Sequence, residues 1–417
     1  MMPLALQSGF GVLLFIAIAW AISENRRVIP WRTIAVSLGL QIGLAALFIK
    51  IPEIRQGLVS LNQIVVALSE ATQAGTQVVF GYVGGGPSPF EITKPQNAFV
   101  LGFQALPLVL VIAALSALLW HWHILKWVTK AFAWALERLL GLSGAVGLGA
   151  AANVILGMVE APLLIRPYLE RLTRSELFVL MSVGLATVAG TVIILYAQLI
   201  GALVPDGLGQ IMVASLISLP AAILIATVMV PETETASTAE SLPEDQPYDS
   251  AMDAITKGTG EGLKLLLNII AMLLVLSALV ELSNIILSGL PDFAGAPLTL
   301  QRLLGWVFTP LVWAMGIPAA ETQVAAELMG IKTALNEFLA YLQLIQLPEG
   351  VLSERSTYIM IYALCGFANF ASVGIMIGGL TALVPTRRKE IISLSLRSLV
   401  AGTLATSMTG AMVGVLY

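Results

Sequence analysis

Apolar runs of near bilayer-spanning length recur along the chain: Ser8–Ile22, Thr33–Phe48, Ala98–Leu119, Leu177–Leu203, Gly207–Val230, Leu263–Val280, Tyr358–Val384 and Ile391–Val415. About 20 consecutive apolar residues cross a hydrocarbon core as a helix, so the pattern predicts about eight transmembrane helices. None of the runs alternates apolar with polar residues, which excludes the ~10-residue strands of a membrane barrel. The first run lacks a basic leader and a small-residue cleavage site, and is read as a retained helix.

Three stretches break this pattern. Pro231–Gln246 (PETETASTAESLPEDQ) is acidic and Ser/Thr-rich, and predicts a cytoplasmic loop dividing the chain into halves. Lys50–Gly86 is amphipathic and ends in glycines, as expected of an interfacial helix followed by an external loop.

The third break occurs twice. Gly141–Ile165 and Gly316–Ile345 are apolar but carry polar centres, Asn153 with Glu160 in the first and Thr333 with Asn336 and Glu337 in the second. Each is followed by a span interrupted by small and polar residues, Ala186–Thr191 (ATVAGT) and Ala368–Gly374 (ANFASVG). Arg138 and Arg166 flank the first segment, whereas Pro297–Arg302 and Pro348–Arg355 flank the second on the other face. The expectation is two oppositely oriented re-entrant helical hairpins, each followed by an interrupted helix, in an inverted repeat. That arrangement points to a secondary transporter's binding site near the midplane.

Composition agrees with an all-α polytopic membrane protein: 58% of the 417 residues are hydrophobic and 11% charged, with a mean hydropathy of +0.90. The net charge of −4 says nothing of partners, but with Met1 outside, 15 of the 21 basic residues fall on the cytoplasmic side. Both termini are then periplasmic or extracellular. Cys365 is the single cysteine and is read as a buried, inert thiol. His121 and His123 flank Trp122 at the end of a span and read as an interfacial belt rather than a metal site. Five segments are expected: 1–130 and 261–315 on a scaffold side, 131–230 and 316–417 each holding a hairpin and a broken helix, and 231–260 as the acidic loop.

Glu160 and Glu337 are the leading candidate residues, since a carboxylate in hydrocarbon costs ~2.5–3.5 kcal/mol on insertion scales. Asn153, Asn336 and Asn369 also need partners there. Carboxylates and amides suit a neutral, hydroxyl-rich ligand, and no Arg or Lys is expected near them to pair with an anion; Lys332 is expected on the outer limb of its hairpin. Phe367 and Phe370 offer flat faces to an aromatic group. A membrane-embedded enzyme using Glu160 and Glu337 as an acid/base pair, and a channel, are the readings from other classes.

Three blocks carry a resemblance: NVILGMVEAP from Asn153 to Pro162, LNEFLAYLQL from Leu335 to Leu344, and YALCGFANFASVGIMIGGL from Tyr362 to Leu380 followed by PTRRKE. They resemble the concentrative nucleoside transporter family, in order, through the chain beyond Val100. The resemblance implies a homotrimer in the bacterial inner membrane, binding no nucleic acid and needing no cofactor, that imports nucleosides by an elevator-like motion. Coupling would be to inward sodium flow, with proton-coupled transport of a nucleoside or nucleobase as the alternative. It implies that Glu337, Asn369 and Ser372 hold the ribose hydroxyls, that Phe367 and Val192 line the binding cavity, and that Glu160 sits toward the base. It also implies sodium at Asn153, Leu156, Thr187 and Val188. Where the family commonly reads Gly-Gln-Thr/Ser-Glu, this chain has Gly157, Met158, Val159 and Glu160. Two hydrogen-bonding side chains are replaced by apolar ones of similar shape, which implies altered base selectivity.

Overall fold

The computed structural model describes residues 3–92, 98–158, 161–204, 206–234, 248–293, 295 and 297–417. All regular structure among these residues is helical. The first part contains α1 (Leu4–Ala21), α2 (Trp31–Lys50), α3 (Pro52–Phe80), the short α4 (Leu101–Gln104) and α5 (Leu108–His121). Next come α6 (Ile124–Leu140), α7 (Gly144–Ile155), α8 (Ala161–Leu164), α9 (Arg166–Leu169), α10 (Arg174–Ala186), α11 (Gly190–Ile200) and α12 (Gly207–Met229). The last part contains α13 (Ala251–Leu287), α14 (Leu300–Ala314), α15 (Ala319–Ala334), α16 (Glu337–Gln346), α17 (Glu354–Leu364), α18 (Phe370–Leu383) and α19 (Arg388–Leu416). Among the described residues, six helical stretches are long and apolar enough to cross a membrane: Leu4–Ala21, Trp31–Phe48, Leu101–His121, Gly207–Met229, Ala251–Leu287 and Pro385–Leu416.

The other two expected spans are the interrupted ones. α10 with α11, and α17 with α18, are pairs of helices of 11–14 residues, each ~16–21 Å long and short of a ~30 Å hydrocarbon core. The first break, Thr187–Ala189, lies inside the expected stretch. The second lies at Cys365–Asn369, earlier than expected, because Asn369 caps α18 by accepting a hydrogen bond from the Ser372 amide at 2.7 Å, which makes Phe370–Gly374 its first helical residues. The breaks abut: a Cβ on Gly366 would sit 2.6 Å from the Ala186 carbonyl oxygen.

The order of amphipathic helix, short helices, broken helix and long helix occurs twice, as α6–α12 and α14–α19. The two long helices touch where the Ser218 and Thr409 hydroxyls share a hydrogen bond at 3.0 Å. The repeats run in opposite directions along the bundle. α10 begins beside the start of α19, where Arg174 and Arg397 both bind Glu24, each at 2.8 Å. α17 begins beside the end of α19, where Arg355 donates to the carbonyls of Gly316 and Gly414 and to the Ser8 hydroxyl. The first and last helices therefore have their outer ends at one end of the molecule.

One further element departs from expectation. α13 starts at Ala251, inside the expected loop, because the Ser250 hydroxyl caps it by accepting from the Asp253 amide at 3.1 Å. With 37 residues, ~55 Å, it overshoots a bilayer core. It packs chiefly along α5. Amphipathic α3 extends as one helix from Pro52 to Phe80 and contacts α2, α5, α11 and α12.

Glu24 joins α10 and α19 to the turn after α1, and its hydrogen bond from Arg174 holds its carboxyl below the ordinary 4.5. A depressed carboxyl stabilises the fold above its unfolded pKa, and that contribution is lost as pH falls through the lower folded value. Glu24→Ala should lower stability by about 1 kcal/mol or less at pH 7. Thermal midpoints in detergent should converge for variant and wild type as pH falls below that range, and a gap that persists there would refute the ion-pair account.

Candidate functional site

Three helices start at one internal cavity. α16 and α18 begin with asparagine caps: Asn336 accepts from the Leu339 amide at 2.9 Å, as Asn369 does from Ser372. α11 begins at Gly190, where a Cβ would lie 2.6 Å from the Ile155 carbonyl oxygen, so only glycine lets α11 close on the end of α7. The cavity measures about 360 Å³, within the range of small-molecule sites. Leu156, Met158, Val192, Glu337, Phe367, Asn369 and Ser372 line it together.

Glu337 is the first residue of α16 and is buried. The Tyr196 hydroxyl donates to its Oε1 at 2.5 Å, and the Asn369 amide donates to its Oε2 at 2.8 Å. The positive end of the α16 dipole adds to these donors. Asn369 thus caps α18 with its oxygen and orients the carboxylate with its nitrogen. Each carboxylate oxygen keeps a further lone pair for a donor entering from the cavity.

Behind the cavity, α7 and α10 end against each other. Asn153, two residues from the end of α7, donates to the Val183 carbonyl at 3.2 Å and to the Thr187 hydroxyl at 2.7 Å. Thr187 donates in turn to Val183 at 2.9 Å, and the Val188 amide donates to Ser215 of α12 at 3.2 Å. Asn153 Oδ1 is buried and has no hydrogen-bond partner among the described residues. Two helix C-termini, each with carbonyls lacking intrahelical partners, and this orphaned oxygen make a donor set suited to a hard cation. Among the described residues no three His, Cys, Asp or Glu side chains cluster as a metal site.

Several expectations change. Val159 and Glu160 lie outside the described residues, so an acid/base pairing of Glu160 with Glu337 has no geometry here. Phe370 does not line the cavity and is 54% exposed. Lys332 is not on an outer limb but fully buried, donating to the Ala363 carbonyl at 2.8 Å and to Thr406 at 2.9 Å. The expectation of no basic residue near the ligand also fails, because Lys264 lines the cavity with Glu261 and Asn268. Their spacing of three and four residues inside an apolar span marks one polar helix face, a signal available in the sequence and missed. Tyr196 was missed too, since a lone tyrosine in a span carries no such pattern.

Residues 210–414 match the family described as Na+ dependent nucleoside transporter C-terminus, residues 10–83 its N-terminus, and residues 102–203 a domain described as Nucleoside recognition. The chain is 35% identical to the nucleoside permease NupC of Helicobacter pylori, covering 98% of this chain and 97% of the permease. It is 33% identical to the rat sodium/nucleoside cotransporter 1 over 100% of this chain and 64% of that protein. Among solved structures it is similar to CNTnw in an inward-facing substrate-bound state, with a TM-score of 0.90, 34% identity, and coverage of 99% of this chain and 98% of that one.

Tyr196→Phe removes one of the two side-chain donors to Glu337 and should cost about 1–3 kcal/mol of stability in detergent. Asn369→Ser keeps an oxygen to cap α18 while losing the amide, so it should cost less than Asn369→Ala, by ~1 kcal/mol. Thermal midpoints would check both, and equal losses for the two Asn369 variants would contradict its capping role.

Proposed function

The chain belongs to the Na+ dependent nucleoside transporter family, and from that premise we propose that it imports nucleosides across the bacterial inner membrane, driven by inward sodium flow. The observation that carries this reading is Glu337, held by Tyr196 and Asn369 at the wall of a cavity otherwise lined largely by apolar side chains. Vicinal ribose hydroxyls donate to the free lone pairs of Glu337, and Asn369 and Ser372 complete the sugar side. The base lies toward Met158, Val159, Val192 and Phe367, with Glu160 on the same side.

Sodium is carried at Asn153 Oδ1, the Thr187 hydroxyl and the backbone carbonyls of Leu156 and Val188. Oxygen donors at the broken ends of helices are an appropriate cage for a hard cation. Transport proceeds by an elevator-like movement in which the hairpins and broken helices, with residues 131–230 and 316–417 as the moving segments, cross a scaffold that includes α5 and α13. The hairpins re-enter the membrane from opposite faces, the termini lie outside, and the chain assembles as a homotrimer.

Met158 lines the cavity, and it and the next residue in sequence, Val159, are apolar where the family commonly has hydrogen-bonding side chains. A site without such groups rejects analogues weakly, because no buried polar partner is left unpaired by the wrong base.

Uptake of radiolabelled uridine and adenosine into proteoliposomes tests the reading. Glu337→Gln should insert normally but lower uptake roughly 10-fold or more, as loss of charge-assisted hydrogen bonds requires. Uptake at the wild-type rate would remove the ribose assignment. Met158→Gln with Val159→Thr should sharpen discrimination between the two nucleosides, whereas a strong preference already present in wild type and unmoved by the double variant would defeat the base-side argument. Accumulation driven by a proton gradient with no sodium present would replace sodium by proton as the coupling ion.

A further inference from the structure

The two repeats treat their helix C-termini differently, and the difference falls on Lys332. In the first repeat the ends of α7 and α10 meet, and the side chain two residues before the end of α7 is Asn153. In the second the ends of α15 and α17 meet, and the side chain two residues before the end of α15 is Lys332. Asn153 donates to a carbonyl in the last turn of α10, that of Val183. Lys332 donates to a carbonyl in the last turn of α17, that of Ala363.

The long helices keep the same correspondence. Ser218 and Thr409 bond to each other where α12 and α19 touch. Three residues earlier in each helix, Ser215 accepts from the Val188 amide in the first break, and Thr406 accepts from Lys332, whose other partner, Ala363, lies two residues before the second break. Asn153 and Lys332 therefore occupy equivalent positions in the repeat.

Each such place collects the negative ends of two helix dipoles and carbonyls without intrahelical partners. The second place holds a covalently attached ammonium, buried completely. The first holds an amide whose oxygen is buried without a hydrogen-bond partner. Among the described residues, no other Lys or Arg side chain is buried.

We propose that the Lys332 ammonium is the tethered counterpart, in the second repeat, of the exchangeable cation bound in the first. Its presence limits coupling to one cation per protomer and holds the α15–α17 junction closed irrespective of ion gradients. The inference rests on the assignment of the coupling cation to Asn153 and Thr187. Lys332 acts as a positioning residue, since it reaches Ala363 and Thr406 rather than the cavity.

Sodium-22 binding to purified protein in detergent, at saturating uridine, tests it without a transport readout. Wild type should bind one sodium per protomer, and Asn153→Ala none. Lys332→Asn, which copies the first repeat, should bind two, one of them surviving in the double variant with Asn153→Ala. Lys332→Met, with no oxygen donor, should bind one. A Lys332→Asn protein that binds uridine but only one sodium overturns the proposal. Sodium binding that persists unchanged in Asn153→Ala overturns instead the cation assignment on which it rests.

If Lys332→Asn does not assemble, Lys332→Ala provides the second test. Propylammonium should raise its thermal midpoint and 1-propanol should not. Equal effects of the two, or no effect of either, would make Lys332 a space-filling group and defeat the proposal.

Discussion

The fold depends on helices that stop inside an apolar body. Every helix end leaves four backbone groups without intrahelical partners, and in surroundings without water each must be met by something else. The chain sorts these ends by sign. α11, α16 and α18 start at the cavity and direct N–H groups toward it, with Asn336 and Asn369 as caps on the last two. α7 with α10, and α15 with α17, end in pairs, where Asn153 and Lys332 bridge them. The proposed positive rim for a hydroxyl-rich ligand and the proposed negative pockets for cations would thus have one origin.

The same arrangement fixes the carboxylate at the cavity wall. Glu337 begins α16, where the dipole favours a carboxylate, and its two oxygens are already fixed by Tyr196 and Asn369. Asn369 cannot rotate to follow a ligand without uncapping α18. On the proposed reading, a carboxylate held from both sides would meet incoming hydroxyls in one orientation, so little further ordering would be required at the moment of binding.

The amino-acid pattern revealed the repeat, the polar centres and the first break because each opposes a strong local signal: an asparagine or glutamate inside an apolar run is conspicuous. It misplaced the second break by a few residues, since Cys365 and Gly366 read as span while the boundary is set by which asparagine caps the next helix. Lys332 was misplaced for a related reason. A lysine near a hairpin end reads as a surface group, and only the opposing C-terminus of α17 and the Thr406 hydroxyl, distant in sequence, make burial tolerable. Glu261, Lys264 and Asn268 were visible as a helix face but gave no hint of what they face.

That face bears on how the cavity works. The residues that hold Glu337 belong to the broken helices, whereas Glu261, Lys264 and Asn268 belong to α13, which packs chiefly along α5. One wall is therefore built on a different packing unit from the other. Under the proposed elevator-like movement, sliding the two units past each other would change what α13 presents to the cavity and leave the Tyr196–Glu337–Asn369 contacts intact, because all three residues belong to the moving segments. A buried ion pair formed across the same gap would instead lock the units in one position, because separating it leaves an uncompensated charge behind.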